Sequence, residues 1–364
     1  MPHFDMYMKP KKLIHNNLIA LLFMLIISIF VVACQKSSPE IYPEAEHKSA
    51  EPYKAADLTE TCQNLEQEMK AIDHQRSTLA LEQVNQNIRL CLTWVDFNEQ
   101  KKLMLLANQM YRKFLHVERT PEQQAAFESY ALEQSQYPTL QQQRFDQLNP
   151  RDQYLLRHQG QAYIELMDTG RHDIFYRRSP QYLAKVFAPY LPNAESVFIL
   201  ELADQNTQPV FKDQHLKLAP QEIVQRAQFW LKYQKDFPQS RYRADAQYLA
   251  QYYMTLLFIG SQKDPISTHF NGADDIQDAT LTEIMQLAEQ HGVLAIKAKK
   301  FLSFIEMSAA QRQQILGSAA QTADRPSPHI PALVVLQLQR YLSLSNINVD
   351  RPAKRDCFRD AICI

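Results

Sequence analysis

Six glycines in 364 residues are too few for several kinds of chemistry. Phosphate-cradling loops and dinucleotide fingerprints need several glycines at close spacing, and this chain has no place for one. No serine carries the flanking glycines of a nucleophile elbow. The eleven histidines are scattered, with no His-Glu-x-x-His pair, and the cysteines lack the CxxC spacing of a zinc site. The expectation is therefore no metal and no cofactor. Charge is also nearly absent in sum, at −1 overall, which argues against nucleic acid as a partner. Runs of β-branched residues are scarce while Gln, Leu and Ala are plentiful. That balance predicts an all-α fold. Gly160, Gly170, Gly260 and Gly292 fall near the ends of apolar-periodic stretches, where helix C-caps favour glycine.

What is present begins with an address. Lys9, Lys11 and Lys12 precede an uncharged run from Leu18 to Ala33, in which Ser28 is the one polar residue. Sixteen residues fall short of the about 20 a membrane-spanning helix needs but suit the core of an export signal. The run closes with Val31-Val32-Ala33-Cys34, and the polar Gln35-Lys36-Ser37-Ser38 follows. This pattern resembles a bacterial lipoprotein signal peptide. The resemblance implies cleavage before Cys34, lipidation of its thiol and anchorage to a membrane. In such proteins an Asp after the cysteine retains the chain in the inner membrane. Gln35 at that position implies the outer membrane, with the protein facing the periplasm. An uncleaved anchor with an incidental cysteine is the alternative.

With Cys34 lipidated, Cys62, Cys91, Cys357 and Cys363 remain. An even number in an exported chain points to disulfides, with three connectivities open. Local pattern ranks Cys62–Cys91 and Cys357–Cys363 first. Cys62, Leu65, Met69 and Ile72 form one helical stripe, and Leu81, Val84, Ile88 and Cys91 form another. A polar turn at 73–78 separates them, so an antiparallel hairpin brings the two cysteines level. Free or buried thiols are the alternative.

The spacing divides the chain into a signal peptide (1–33), a disordered tether rich in Pro, Glu, Lys and Ser (34–57), and an N-terminal helical subdomain (58–150). A C-terminal helical subdomain (151–344) and a Cys-containing tail (345–364) follow. Thr120-Pro121-Glu122-Gln123 and Asn149-Pro150 read as helix starts. The helix from Pro150 is expected to end at Thr169-Gly170. Packed helical hairpins are expected throughout, with at most a small β-hairpin near 197–218, where Val197–Leu202 reads as helix and 215–218 as irregular. The clearest helices are predicted at 220–236 and 241–258. Phe237-Pro238 followed by Ala246, Leu249, Ala250 and Tyr253 resembles a junction in tetratricopeptide-like proteins, including helical-repeat lipoproteins of outer-membrane assembly. The likeness covers about 40 residues, and Gly260–Pro265 interrupts where a partner helix would continue.

Few groups invite chemistry. Asp168-Thr169-Gly170 matches the aspartic-protease triplet, but no second copy exists to share a proton, so it reads as a helix end. Arg171, His172, Tyr176, Arg177 and Arg178 form the best candidate ligand site, suited to a carboxylate or phosphate. The alternative is a polar loop whose arginines pair internally with Asp168 and Asp173. Tyrosines at 233–253 with Trp230 read as core rather than as a sugar groove. Together these features favour a lipid-anchored scaffold or protein-interaction module of the outer membrane with an envelope protein partner. A peptidoglycan-binding or peptidoglycan-processing protein is the alternative. No catalytic residue is singled out, and a non-enzymatic role is favoured.

Overall fold

The computed structural model describes residues 55–136, 142–170, 173–316, 333–345 and 356–364. Cys34, the preceding apolar run and the tether up to residue 54 lie outside the described residues. No helix among the described residues is long and apolar enough to cross a membrane.

The first three helices are α1 (Ala55–Ala71), α2 (Thr78–Leu92) and α3 (Phe97–Phe114). Their stripes meet as the spacing requires: Leu65, Met69 and Ile72 of the first segment are buried with Leu81, Val84, Ile88 and Cys91 of the second. Ser77 caps α2 by accepting from the Ala80 N–H, and Asp96 caps α3 by accepting from those of Asn98 and Glu99. Cys62 and Cys91 are joined by a disulfide with Cα atoms 5.5 Å apart. On the chain-entropy account, closing a loop of this length contributes about 3–4 kcal/mol.

Helix α4 (Pro121–Gln136) opens on a reciprocal capping box: Gln123 N–H donates to Thr120 Oγ1 and Thr120 N–H to Gln123 Oε1. A single turn, α5 (Gln142–Phe145), precedes α6 (Pro150–Arg157), which Asn149 caps. Here the chain departs from its sequence pattern. The helix stops at Arg157, and Ile164–Asp168 (β1) pairs antiparallel with Ile174–Arg178 (β2). The expected helix through Tyr163–Met167 is therefore a strand, and Gly170 sits in a hairpin turn instead of capping a helix. Apolar residues at 164, 166 and 167 fit either period. A partner strand starting six residues beyond β1 supplies the hydrogen bonds that decide it. The turn from helix to strand uses left-handed backbone at Ala162 (φ 44°) and Tyr163 (φ 61°).

Beyond the hairpin the fold is again helical: α7 (Gln181–Val186), α8 (Asn193–Gln205), α9 (Pro220–Asp236), α10 (Arg243–Phe258), α11 (Asp278–Ala288), α12 (Val293–Ile305), α13 (Ala309–Leu316) and α14 (Leu333–Tyr341). Val197–Leu202 is helix, as read. Residues 215–218, read as irregular, instead begin with a short strand: β4 (His215–Leu216) pairs with β3 (Phe211–Lys212), not with 197–202, because a two-residue turn at Asp213-Gln214 lets the adjacent segments exchange hydrogen bonds. Helices pack as hairpins, α9 with α10 most extensively, then α11 with α12. Trp230 and Tyr253 are fully buried between them, and the Trp230 indole N–H donates to Gln205 Oε1 at 3.0 Å. Among the described residues the architecture is all-α with two small β-hairpins.

The described residues from 55 onward belong to one compact unit. The main apolar cluster runs from Leu65 through Trp230 to Cys363. A smaller second cluster gathers Phe127, Tyr130, Phe145, Leu148, Leu156 and Ile174. Buried polar contacts tie the first helices to the rest: Tyr111 accepts from Asn85 at 2.9 Å and donates to the Ala162 carbonyl at 2.7 Å.

Candidate functional site

The β1–β2 hairpin has two faces because side chains alternate along a strand. Leu166, Ile174 and Tyr176 pack against the second apolar cluster. Met167, Thr169, Asp173, Phe175 and Arg177 look the other way and line a cleft of about 380 Å³. A volume of that order suits a small ligand or a few residues of peptide. The opposite walls come from Pro209–Phe211 and Gln214 of the β3–β4 region, from Gln262 and Lys263, and from Asp356, Phe358 and Arg359 near the C-terminus. Tyr252 of α10 borders it, and its ring lies 4.4 Å from that of Phe358.

The two hairpin turns lock together. Asp213 N–H donates to the Thr169 carbonyl at 3.1 Å. Gly170 lies at φ +86°, and a Cβ there would sit 2.2 Å from Asp213 Oδ1 and 2.5 Å from its backbone N. Glycine is required at that position by backbone conformation and by space alike.

The C-terminal wall has no helix or strand of its own. Cys357 and Cys363 are disulfide-bonded, and Asp356 and Ile364 exchange backbone hydrogen bonds of 2.7 and 2.9 Å. Side chains from the body hold this loop. Asn206 Nδ2 donates to the Cys357 and Asp360 carbonyls at 2.6 and 2.7 Å. Arg177 donates to Glu165 at 3.0 Å, to the Asn206 carbonyl at 3.0 Å and to the Arg359 carbonyl at 3.4 Å. Arg178 pairs with Asp360, both almost fully buried, and its guanidinium lies over the Tyr182 ring at 4.7 Å. Burial pulls the Arg177 guanidinium below its usual range, and the Glu165 carboxylate offsets part of that shift.

The candidate ligand residues thus separate. Arg171 and His172 lie outside the described residues. Tyr176 turns away from the cleft and donates to Asp152 at 3.0 Å, beside the bidentate Arg119–Asp152 pair. Burial, then the neighbouring Asp152 charge, holds its phenol well above the ordinary range. Arg178 is internal. Among the described candidates Arg177 alone reaches the cleft, with each of its three guanidinium nitrogens already making a hydrogen bond. The sequence pattern did not reveal Lys263, Phe211, Phe358 or Arg359. Only the Cys357–Cys363 spacing hinted at a built loop there.

The aromatic group read from the sequence as core is core. Trp230, Tyr233, Tyr242, Tyr252 and Tyr253 are buried. In the loop before α11, Asp275 accepts from Ser267 at 2.5 Å and from the Asn271 N–H at 3.2 Å, which lowers its carboxyl below the usual range. No group of three His, Cys, Asp or Glu side chains suited to a metal occurs among the described residues. An open depression lined by His74, Arg112, Lys113 and His116 shares no residue with the cleft.

Compared with known proteins, the chain matches no family model, no curated protein and no solved structure. The class that fold and site define is an all-α protein with a cleft walled by two β-hairpins and a disulfide-closed loop.

Proposed function

We propose that this chain is a lipid-anchored interaction module on the periplasmic face of the outer membrane, and that it engages an envelope protein through the cleft. The address rests on the lysines at 9–12, the run to Ala33, Cys34 and Gln35. The recognition role rests on one observation. The buried charges beside the cleft, Arg177, Arg178 and Asp360, are spent on holding its walls, which leaves a preformed surface of aromatic rings with a polar rim. That composition is typical of recognition sites.

Crosslinked co-purification of the anchored protein, with mass spectrometry and a muropeptide-release assay on the eluate, tests this. A stoichiometric envelope protein without muropeptide release is the expected result. Release sustained by the purified protein alone contradicts it and favours peptidoglycan processing. The anchor is tested separately by palmitate labelling, which Cys34→Ala should abolish; equal labelling of both proteins removes the lipoprotein reading.

A further inference from the structure

We infer that the cleft takes a peptide segment in which a carboxylate side chain lies beside a large apolar one. This rests on the interaction-module reading and names the chemistry of its partner. The charges of the lining decide the polar half. Arg177 is consumed by Glu165 and two backbone carbonyls. Asp173 keeps its negative charge, but its Oδ2 is held on its own hairpin turn by accepting from Thr169 Oγ1. Asp356 is paired with Arg359 through Nε at 3.0 Å, and the Arg359 guanidinium lies 4.5 Å from the centre of the Phe175 ring. Arg359 is exposed at the cleft, and among the described residues no hydrogen bond or ion pair engages its terminal nitrogens. Lys263 also lines it, is exposed, and makes no ion pair among the described residues. An exposed ammonium and a guanidinium fork facing one cleft are complementary to a carboxylate.

The apolar half selects what carries that carboxylate. Phe175, Phe211 and Phe358 are each only partly buried, and the buried Met167 and Val210 line the same cleft. A Phe or Leu side chain would cover these rings and remove apolar surface from water. The stem peptides of peptidoglycan offer carboxylates without a large apolar neighbour, so the lining favours a protein segment.

Fluorescence polarisation of full-length protein with the labelled peptide Gly-Ser-Phe-Glu-Ser-Gly tests the proposal. Partner peptides carry Gln for Glu, Ser for Phe, or Lys for Glu, and a muropeptide serves as the other ligand. The Phe-Glu peptide should bind, and each replacement should weaken it by about tenfold or more, which is about 1.4 kcal/mol. Lys263→Glu and Arg359→Gln should each weaken it similarly, while Lys263→Arg retains it. Lys263 is exposed and makes no ion pair among the described residues, so loss of binding there does not follow from misfolding. Added salt should weaken the Phe-Glu complex more than the Phe-Gln one. Equal binding of the Phe-Gln peptide, no peptide binding by folded protein, or preference for the muropeptide overturns the inference. A crosslinked partner retained by Lys263→Glu also overturns it but leaves the anchored-module reading standing. Absence of any partner on wild type fails that reading on its own.

Discussion

Two disulfides close two regions of this molecule, and they hold structure in different ways. Cys62–Cys91 joins α1 to α2, helices whose apolar stripes already bury Leu65, Met69, Leu81 and Ile88 against each other. Cys357–Cys363 closes a short loop with no regular structure, whose position depends on Asn206, Arg177 and Arg178 reaching out from the body. In the first region the crosslink reinforces packing. In the second, buried polar clamps carry the placement and the disulfide limits what the loop can become. The difference matters because the second region is a wall of the cleft.

The largest effect should come from breaking a clamp. Arg178→Met leaves Asp360 as an unpaired buried carboxylate, for which the expected cost is about 3–5 kcal/mol. Chemical denaturation should show that loss, and hydrogen exchange should show it concentrated at 356–364. Loss spread evenly over the molecule would remove the distinction between the two regions. Next, replacing Cys62 and Cys91 by Ser should cost about 3–4 kcal/mol on the chain-entropy model, against roughly 2 kcal/mol for the shorter Cys357–Cys363 loop. Binding should show the reverse order, because only the second pair shapes the cleft. A melt compared with the peptide titration of each variant checks both halves.

A smaller and sharper contrast lies between two glycines. Gly160→Ala meets nothing within 4 Å and carries only the cost of φ +81°, about 1–3 kcal/mol. Gly170→Ala carries a similar backbone cost and also collides with Asp213, so it should be clearly the more destabilising and should part the two hairpin turns. Equal melting temperatures for the two variants would show that the turns do not depend on that contact.

The smallest effect is with pH. Burial pushes the Tyr233 phenol up to about 12, and raises Tyr111, Tyr182 and Tyr253 as well. A phenol with a raised folded pKa stabilises the native state fully below the unfolded value of about 10 and loses that contribution as pH rises through the folded value. Tyrosinate absorbance should therefore lag in the folded protein between about pH 10 and 12 and rise together with unfolding. Early, independent ionisation of all tyrosines would place these rings in water.

How much was legible follows the same division. Long helices such as Pro220–Asp236 announce themselves by apolar period, N1 proline and Pro-containing exit, and α1–α2 by two matched stripes, one beginning and the other ending in cysteine. The β1–β2 hairpin was misread, because Ile164–Met167 satisfies a helical period and its pairing depends on residues past the turn. Ile174-Phe175-Tyr176 after a glycine-containing turn was the available signal. The cleft was hardly legible at all. Its lining residues stand as far apart as Met167 and Arg359, and only tertiary contacts bring them together. Arg177 and Arg178 stood out as ligand candidates by their charge. Their burial and partners turn that charge inward, toward the C-terminal loop.

The most direct test of the central claim is site-specific photo-crosslinking in cells, with the photoreactive residue at Gln214 on the cleft rim or at His116 in the open depression. A single, abundant envelope-protein adduct from Gln214 and none from His116 is the predicted result. An adduct from His116 alone, or from neither position, would contradict the assignment of the cleft as the recognition site.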